Sequence, residues 1–87
     1  MLRIRSTRNG ETLFTVSGHM DSANLVELKN LIEAETAGGP MAFDLKELIL
    51  VDRDAVRFLE RCQSNGIELR NCSAYIREWI KRERTIS

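Results

Sequence analysis

The chain has 87 residues, enough for one domain with one core, and such a domain buries only about 60–65% of its unfolded surface. Its 43% hydrophobic and 30% charged content exclude a disordered or low-complexity chain. Thirteen basic residues balance thirteen acidic ones, which argues against a nucleic-acid partner, since such binders carry a net basic footprint that displaces counterions from phosphates.

Two cysteines, Cys62 and Cys72, do not make a disulfide framework. No apolar stretch approaches the ~20 residues that cross a bilayer, so no direct membrane insertion is expected. Met1-Leu2-Arg3-Ile4-Arg5 alternates where a signal peptide would be continuously apolar. The expectation is a cytoplasmic protein with reduced thiols.

In chain order, residues 2–7 alternate, with Leu2, Ile4 and Ser6 on one side and Arg3, Arg5 and Thr7 on the other. Thr12, Phe14 and Val16 then alternate with Leu13, Thr15 and Ser17. Asn9-Gly10 between them suits the positive backbone angles of a type I′ turn, so the chain should open with a β-hairpin. Gly18-His19-Met20 should break the second strand, and Asp21 or Ser22 can cap a helix. Leu25, Leu28, Leu31 and Ile32 recur at helical spacing to about Ala37. Gly38-Gly39-Pro40 stops that helix, since glycine accepts the left-handed cap and proline cannot continue the ladder.

Met41–Leu45 reads as a short buried strand, followed by an apolar loop, Leu48-Ile49-Leu50-Val51. Asp52 is a natural N-cap for a second helix that carries Ala55, Val56, Leu59 and Cys62 on one face. Ser64-Asn65-Gly66 ends it, and Ile67–Arg70 is a strand with its odd positions inward. Ser73 caps a last helix with Ile76, Trp79 and Ile80 on its apolar face and a frayed tail to Ser87. Within it, Lys81, Arg82 and Arg84 read as a solvated helix end near the negative pole of the dipole. The order β-β-α-β-α-β-α predicts a single α/β domain over residues 1–87. Its mixed sheet has about four strands, an N-terminal hairpin and then helix-linked parallel strands, with about three helices.

Three stretches at consistent spacing give this order a resemblance. Gly18-His19-Met20-Asp21 with Leu25, Leu28 and Ile32 resembles a strand-end G-x-L-D and the helix after it. Phe43-Asp44-Leu45 through Leu50-Val51-Asp52 resembles L-D-L followed by a hydrophobic-D-S-S-G. Gly66 to Ser73, then Ile76 and Ile80, resembles G-x-x-L-x-L-x-x-x-S before an apolar helix. Together they span nearly the whole chain and resemble the STAS family, the sulfate-transporter and anti-sigma-factor-antagonist domains.

The resemblance implies a non-enzymatic regulatory module in bacterial signalling that binds a protein partner, an anti-sigma factor or an ATPase-fold kinase. The alternative it implies is a cytoplasmic STAS subunit of an ABC-type lipid or solute transport complex. In the signalling members a serine after the motif's aspartate is phosphorylated by the partner. Here Arg53 stands at that position after Asp52, with Asp54 and Ala55 next, so no phosphorylation is expected there. Two readings of Arg53 stand side by side: it pairs with a neighbouring carboxylate, or Asp52-Arg53-Asp54 forms a fixed recognition surface. The docking region is expected over Leu48–Arg57, with Asp52, Arg53, Asp54 and Arg57 supplying charge and Ile49 an apolar contact. The loop of His19 and Asp21 should assist.

Residues for chemistry are sparse. His19 is the only histidine, and no C-x-x-C or H-x-x-x-H spacing offers a structural metal set, so neither metal nor cofactor is expected. Cys62 falls on an apolar helix face and reads as a small core residue. Cys72 sits beside Ser73 at a helix N-terminus, where a thiolate would be stabilised, and is a redox candidate on that ground. Gly38-Gly39-Pro40 lacks the lysine and serine of a phosphate-binding loop, and no serine lies in G-x-S-x-G. No nucleophile, base and oxyanion site assemble in the sequence, so an enzyme is not expected.

Overall fold

The computed structural model describes residues 2–34 and 39–86. Eight elements follow one another: β1 (Leu2–Arg8), β2 (Thr12–Met20), α1 (Ser22–Ala34), β3 (Met41–Asp44), β4 (Leu48–Val51), α2 (Arg53–Ser64), β5 (Glu68–Arg70) and α3 (Ala74–Ile86). The five strands form one mixed sheet in the order β1-β2-β3-β5, with β4 also paired to β2. β1 runs antiparallel to β2, while β2–β3, β2–β4 and β3–β5 are parallel. The domain is therefore α/β, as the order of elements predicts.

Alternation divides the sheet into two unlike faces. Leu2, Ile4, Phe14, Val16, Phe43 and Leu69 pack with the core, whereas Arg3, Arg5, Asp44, Glu68 and Arg70 belong to the other, polar face. The helices complete the core with Leu25 and Leu28 of α1, Val56, Phe58, Leu59 and Cys62 of α2, and Ile76 and Ile80 of α3. Phe43 sits at the centre: its ring meets Phe14 edge-on at 5.7 Å and stacks on Phe58 at 6.4 Å, linking sheet to helix. Each such fully buried side chain contributes roughly 1.5–3 kcal/mol from area removed from water.

The hairpin forms, but its turn differs from the sequence expectation. Arg8 pairs with Thr12, so three residues connect the strands, and Gly10 alone among them has a positive φ, at 80°. A type I′ turn would require a positive angle at Asn9 as well. The longer loop holds Glu11 where its carboxylate receives a paired hydrogen bond from the Arg70 guanidinium of β5, one arm at 2.8 Å.

Nor does β2 stop at Gly18. It continues through His19 to Met20, and Gly18 takes φ 93° where the register shifts. Thr12–Thr15 of β2 pair with β3 and Gly18–Met20 with β4, where Gly18 faces Leu48 and His19 faces Leu50, so Ile49 of β4 is the extra residue of the bulge. The apolar run 48–51, expected as a loop, is therefore a fifth strand. A tight turn keeps it alongside β2, with the Leu48 amide donating to the Leu45 carbonyl at 3.1 Å and that of Gly18 to Glu47 at 3.1 Å.

At the C-terminus, α3 stays helical to Ile86 instead of fraying, because Glu83 is buried against α2 and Arg84 reaches Glu60 at 3.5 Å. Leu31, expected on the apolar face of α1, is exposed. Trp79 is half-buried against the core, and its ring lies 5.9 Å from that of exposed Tyr75. The end of α1 expected near Ala37, and Gly38, lie outside the described residues.

A Cβ at Gly18 would meet the steric penalty of left-handed backbone. Gly18→Ala should lower stability by about 1–2 kcal/mol, read as a lower urea midpoint with an unchanged slope. An unchanged midpoint would mean that the bulge relaxes without cost.

Candidate functional site

The parallel strands β2 and β4 end side by side, and each runs directly into a helix. The Asp52 amide donates to the Met20 carbonyl at 3.2 Å, locking the two strand ends together. Asp21 then caps α1, its Oδ1 accepting from the Asn24 amide at 3.0 Å. Asp52 caps α2 with Oδ1, which accepts from the Ala55 amide at 2.8 Å. Its second oxygen, Oδ2, accepts from the Ser22 amide of α1 at 3.0 Å. One carboxylate thus serves the free donors of two helix starts.

Arg53, in the first turn of α2, turns away from these donors towards α3. Its Nε lies 3.4 Å from Glu83 Oε1, and Arg57 Nε donates to the same oxygen at 3.1 Å. The arginines are more than half exposed, yet the Glu83 side chain retains only 10% of its surface. The hydrogen bond from Arg57 holds the Glu83 carboxyl below its ordinary value, against the upward push of burial, and Arg53 adds to the lowering. Arg53 does pair with a carboxylate, and the pairing spans thirty positions of sequence.

Asp54 is exposed in the first turn of α2, where its charge suits the positive end of the helix dipole. His19 is exposed on β2 instead of lying in a loop, and its backbone carbonyl accepts from Asn24 Nδ2 at 3.1 Å. On β4 the outer residues Leu48 and Val51 are buried, while Ile49 is 67% and Leu50 50% exposed. Two large apolar side chains therefore stand next to the charged start of α2. The seven candidate residues gather at one end of the sheet, but Asp21 and Asp52 are occupied by backbone amides.

Of the two thiols, Cys62 lies in the core as its helix face predicts, and Cys72 departs from the sequence expectation. Burial pushes Cys62 up to about 12. Cys72, expected as a stabilised thiolate, is also raised by burial, so its position before α3 does not activate it. Among the described residues, no three His, Cys, Asp or Glu side chains cluster to hold a metal ion. No described helix is long and apolar enough to cross a membrane.

Sequence reasoning included Leu50 only within the Leu48–Arg57 span without singling it out, and missed Glu83. Leu50 was hidden because the buried-exposed-exposed-buried pattern of β4 follows neither strand nor helix periodicity. Glu83 lay within a basic helix end, and its only signal was an acid where the apolar stripe continues, seven residues after Ile76. No protein-family model matches the chain, and neither a curated protein nor a solved structure matches it.

Two outcomes follow from this geometry. Asp52→Ala should cost about 1–2 kcal/mol for the lost cap, with a further ~1 kcal/mol for the orphaned Ser22 amide, measured by urea unfolding. Asp52→Asn, which keeps one carbonyl oxygen, should fall between it and the parent.

Glu11 and Glu83 lie below the ordinary 4.5, Glu11 mainly through the Arg70 hydrogen bond, and Asp44 lies below 3.8 mainly through that of Asn71. Depressed folded values mean that their stabilisation is present above the unfolded values and is lost as pH falls through the folded ones. Unfolding midpoints should accordingly hold at neutral pH and drop below about pH 4.5. Glu83→Gln should flatten that acid limb, and an equally steep limb in the variant would remove Glu83 from the account.

Proposed function

We propose that this chain is a protein-binding regulatory module, similar to the anti-sigma-factor antagonists of the STAS family, that docks its partner through β4 and the start of α2. The observation that carries the reading is the exposure of Ile49 and Leu50 beside Asp54 and Arg57. Adjacent large apolar side chains flanked by charge make an apolar centre with a polar rim, the pattern of a specific docking patch. His19 lies on its flank. The apolar pair supplies affinity on desolvation, and the charges set specificity and association rate.

Asp21 and Asp52 belong to the scaffold of this site, since Asp21 Oδ1 and both Asp52 oxygens already accept amides. Arg53 links the patch to α3 through Glu83. With arginine at the position of the family's phosphorylated serine, binding is constitutive or controlled by something other than phosphorylation of this site. The resemblance assigns the partner as an anti-sigma factor or an ATPase-fold kinase, in a cytoplasmic setting, and the reading assigns no catalytic step.

The test is capture of partners from the native host on a tagged bait, with Ile49→Asp and Asp54→Lys baits in parallel. The reading expects an ATPase-fold or anti-sigma protein retained by the parent and weakened at least about tenfold, ~1.4 kcal/mol, by Ile49→Asp. Thermal stability should be unchanged, because the side chain is mostly exposed. Recovery of a permease with its ATPase would move the module to a transport complex. Capture indifferent to both substitutions would remove β4 as the docking surface.

A further inference from the structure

A second surface lies between α1 and α2. Two concavities there, of about 260 and about 220 Å³, share Lys29, Phe58 and Arg61 and so form adjoining parts of one groove. It runs from Ser22 and Asp54, where Asp52 ties the helix starts together, to Ile32 and Asn65 near the far end. Leu25, Phe58 and Cys62 give it an apolar floor, and Val26, 61% exposed, stands on its rim.

The charge along this groove is uneven. Lys29, Arg57 and Arg61 line its middle, whereas its acidic residues, Asp54 and Glu33, belong one to each end. Lys29 Nζ sits 5.9 Å from the centre of the Phe58 ring, and neither Lys29 nor Arg61 has an ion-pair partner among the described residues. Arg57 is shared with Glu83.

We propose that this groove is a docking site for an acidic amphipathic helix of a partner protein. Helix walls have their backbone donors and acceptors satisfied internally, so an added strand would gain no ladder there. An apolar helical stripe can instead pack between the two helices on Phe58 and Val26. Carboxylates flanking that stripe would meet Lys29 and Arg61, which fixes the sign of the occupant. From Ser22 to Ile32 the wall is about 15 Å long at 1.5 Å per residue, matching roughly three helical turns. The groove rests on residues outside the β4 patch, Arg57 and Asp54 excepted, so either surface can fail alone.

The test is a titration of the isotope-labelled full chain, followed by amide shifts, with a synthetic helical peptide of about 14 residues, ~21 Å long. Leucines at helical spacing and glutamates elsewhere make the probe. A lysine-for-glutamate counterpart and a scrambled acidic peptide are the controls.

The acidic probe should shift Val26, Lys29, Phe58 and Arg61, bind at least about tenfold tighter than either control, and weaken as salt is raised. Lys29→Glu with Arg61→Glu should reverse the preference towards the lysine peptide. If that variant does not fold, the comparison of the three peptides on the parent chain decides alone. Equal binding of all three, or shifts confined to Ile49 and Leu50, would overturn the proposal. So would anionic lipid vesicles shifting the groove residues while the acidic peptide does not, or self-association of the chain that covers the groove.

Discussion

The Asp52 carboxylate is the point on which the arrangement of this domain turns. It follows β4, caps α2 through Ala55, and accepts the Ser22 amide at the start of α1. Two parallel strands ending together would otherwise leave two helix starts, each with unsatisfied amides, facing one another across a gap. A single side chain with two acceptor oxygens resolves both. Neutral residues of similar size have one acceptor oxygen at most, which is why an acid suits the position. Because the α1 and α2 starts are fixed to the same group, the direction of the groove between them and the position of β4 beside them are fixed as well.

The second organising contact closes the other side of α2. Glu83 is carried by α3 into a nearly buried position where Arg53 and Arg57 converge on one oxygen. Exposed ion pairs contribute little, because solvent screens them and ordering the side chains costs entropy. Here the acid is sheltered while the arginines keep contact with water, so neither guanidinium pays the full cost of desolvation. The same contact, with that of Arg84 to Glu60, supports the helical continuity of α3 to Ile86. It also gives Arg53 a fixed structural task in the first turn of α2.

The sequence made the layout legible where local rules decide the outcome. Alternation in residues 2–7 and 12–17, the caps at Asp21, Asp52 and Ser73, and the stop at Asn65-Gly66 are each governed by groups within a few residues. Outcomes set by distant partners were not legible. The hairpin loop lengthens so that Glu11 can meet Arg70, fifty-nine positions away. Residues 48–51 become a strand by pairing with Gly18–Met20, thirty positions earlier, with Ile49 left over as a bulge. The candidate site shows the same division: Ile49, Asp54 and Arg57 could be selected from their chemistry and spacing. That Asp21 and Asp52 are consumed by amides, and that Arg53 reaches α3, depends on three-dimensional proximity.

These two contacts also separate the side chains that are committed to internal contacts from those that are exposed. The helix-start acids and the Arg53–Glu83–Arg57 contact are used internally, and disturbing them changes stability first. Ile49, Leu50 and Val26 are largely exposed, and Lys29 and Arg61 lack ion-pair partners among the described residues, so these side chains are not tied into the framework as the acids are. In a small domain with a stability of only about 5–15 kcal/mol, that separation matters. A binding surface built from core or capping groups would couple every change of affinity to a change of stability. Here the exposed apolar side chains and the groove cations can vary while Asp52 and Glu83 hold the framework that presents them.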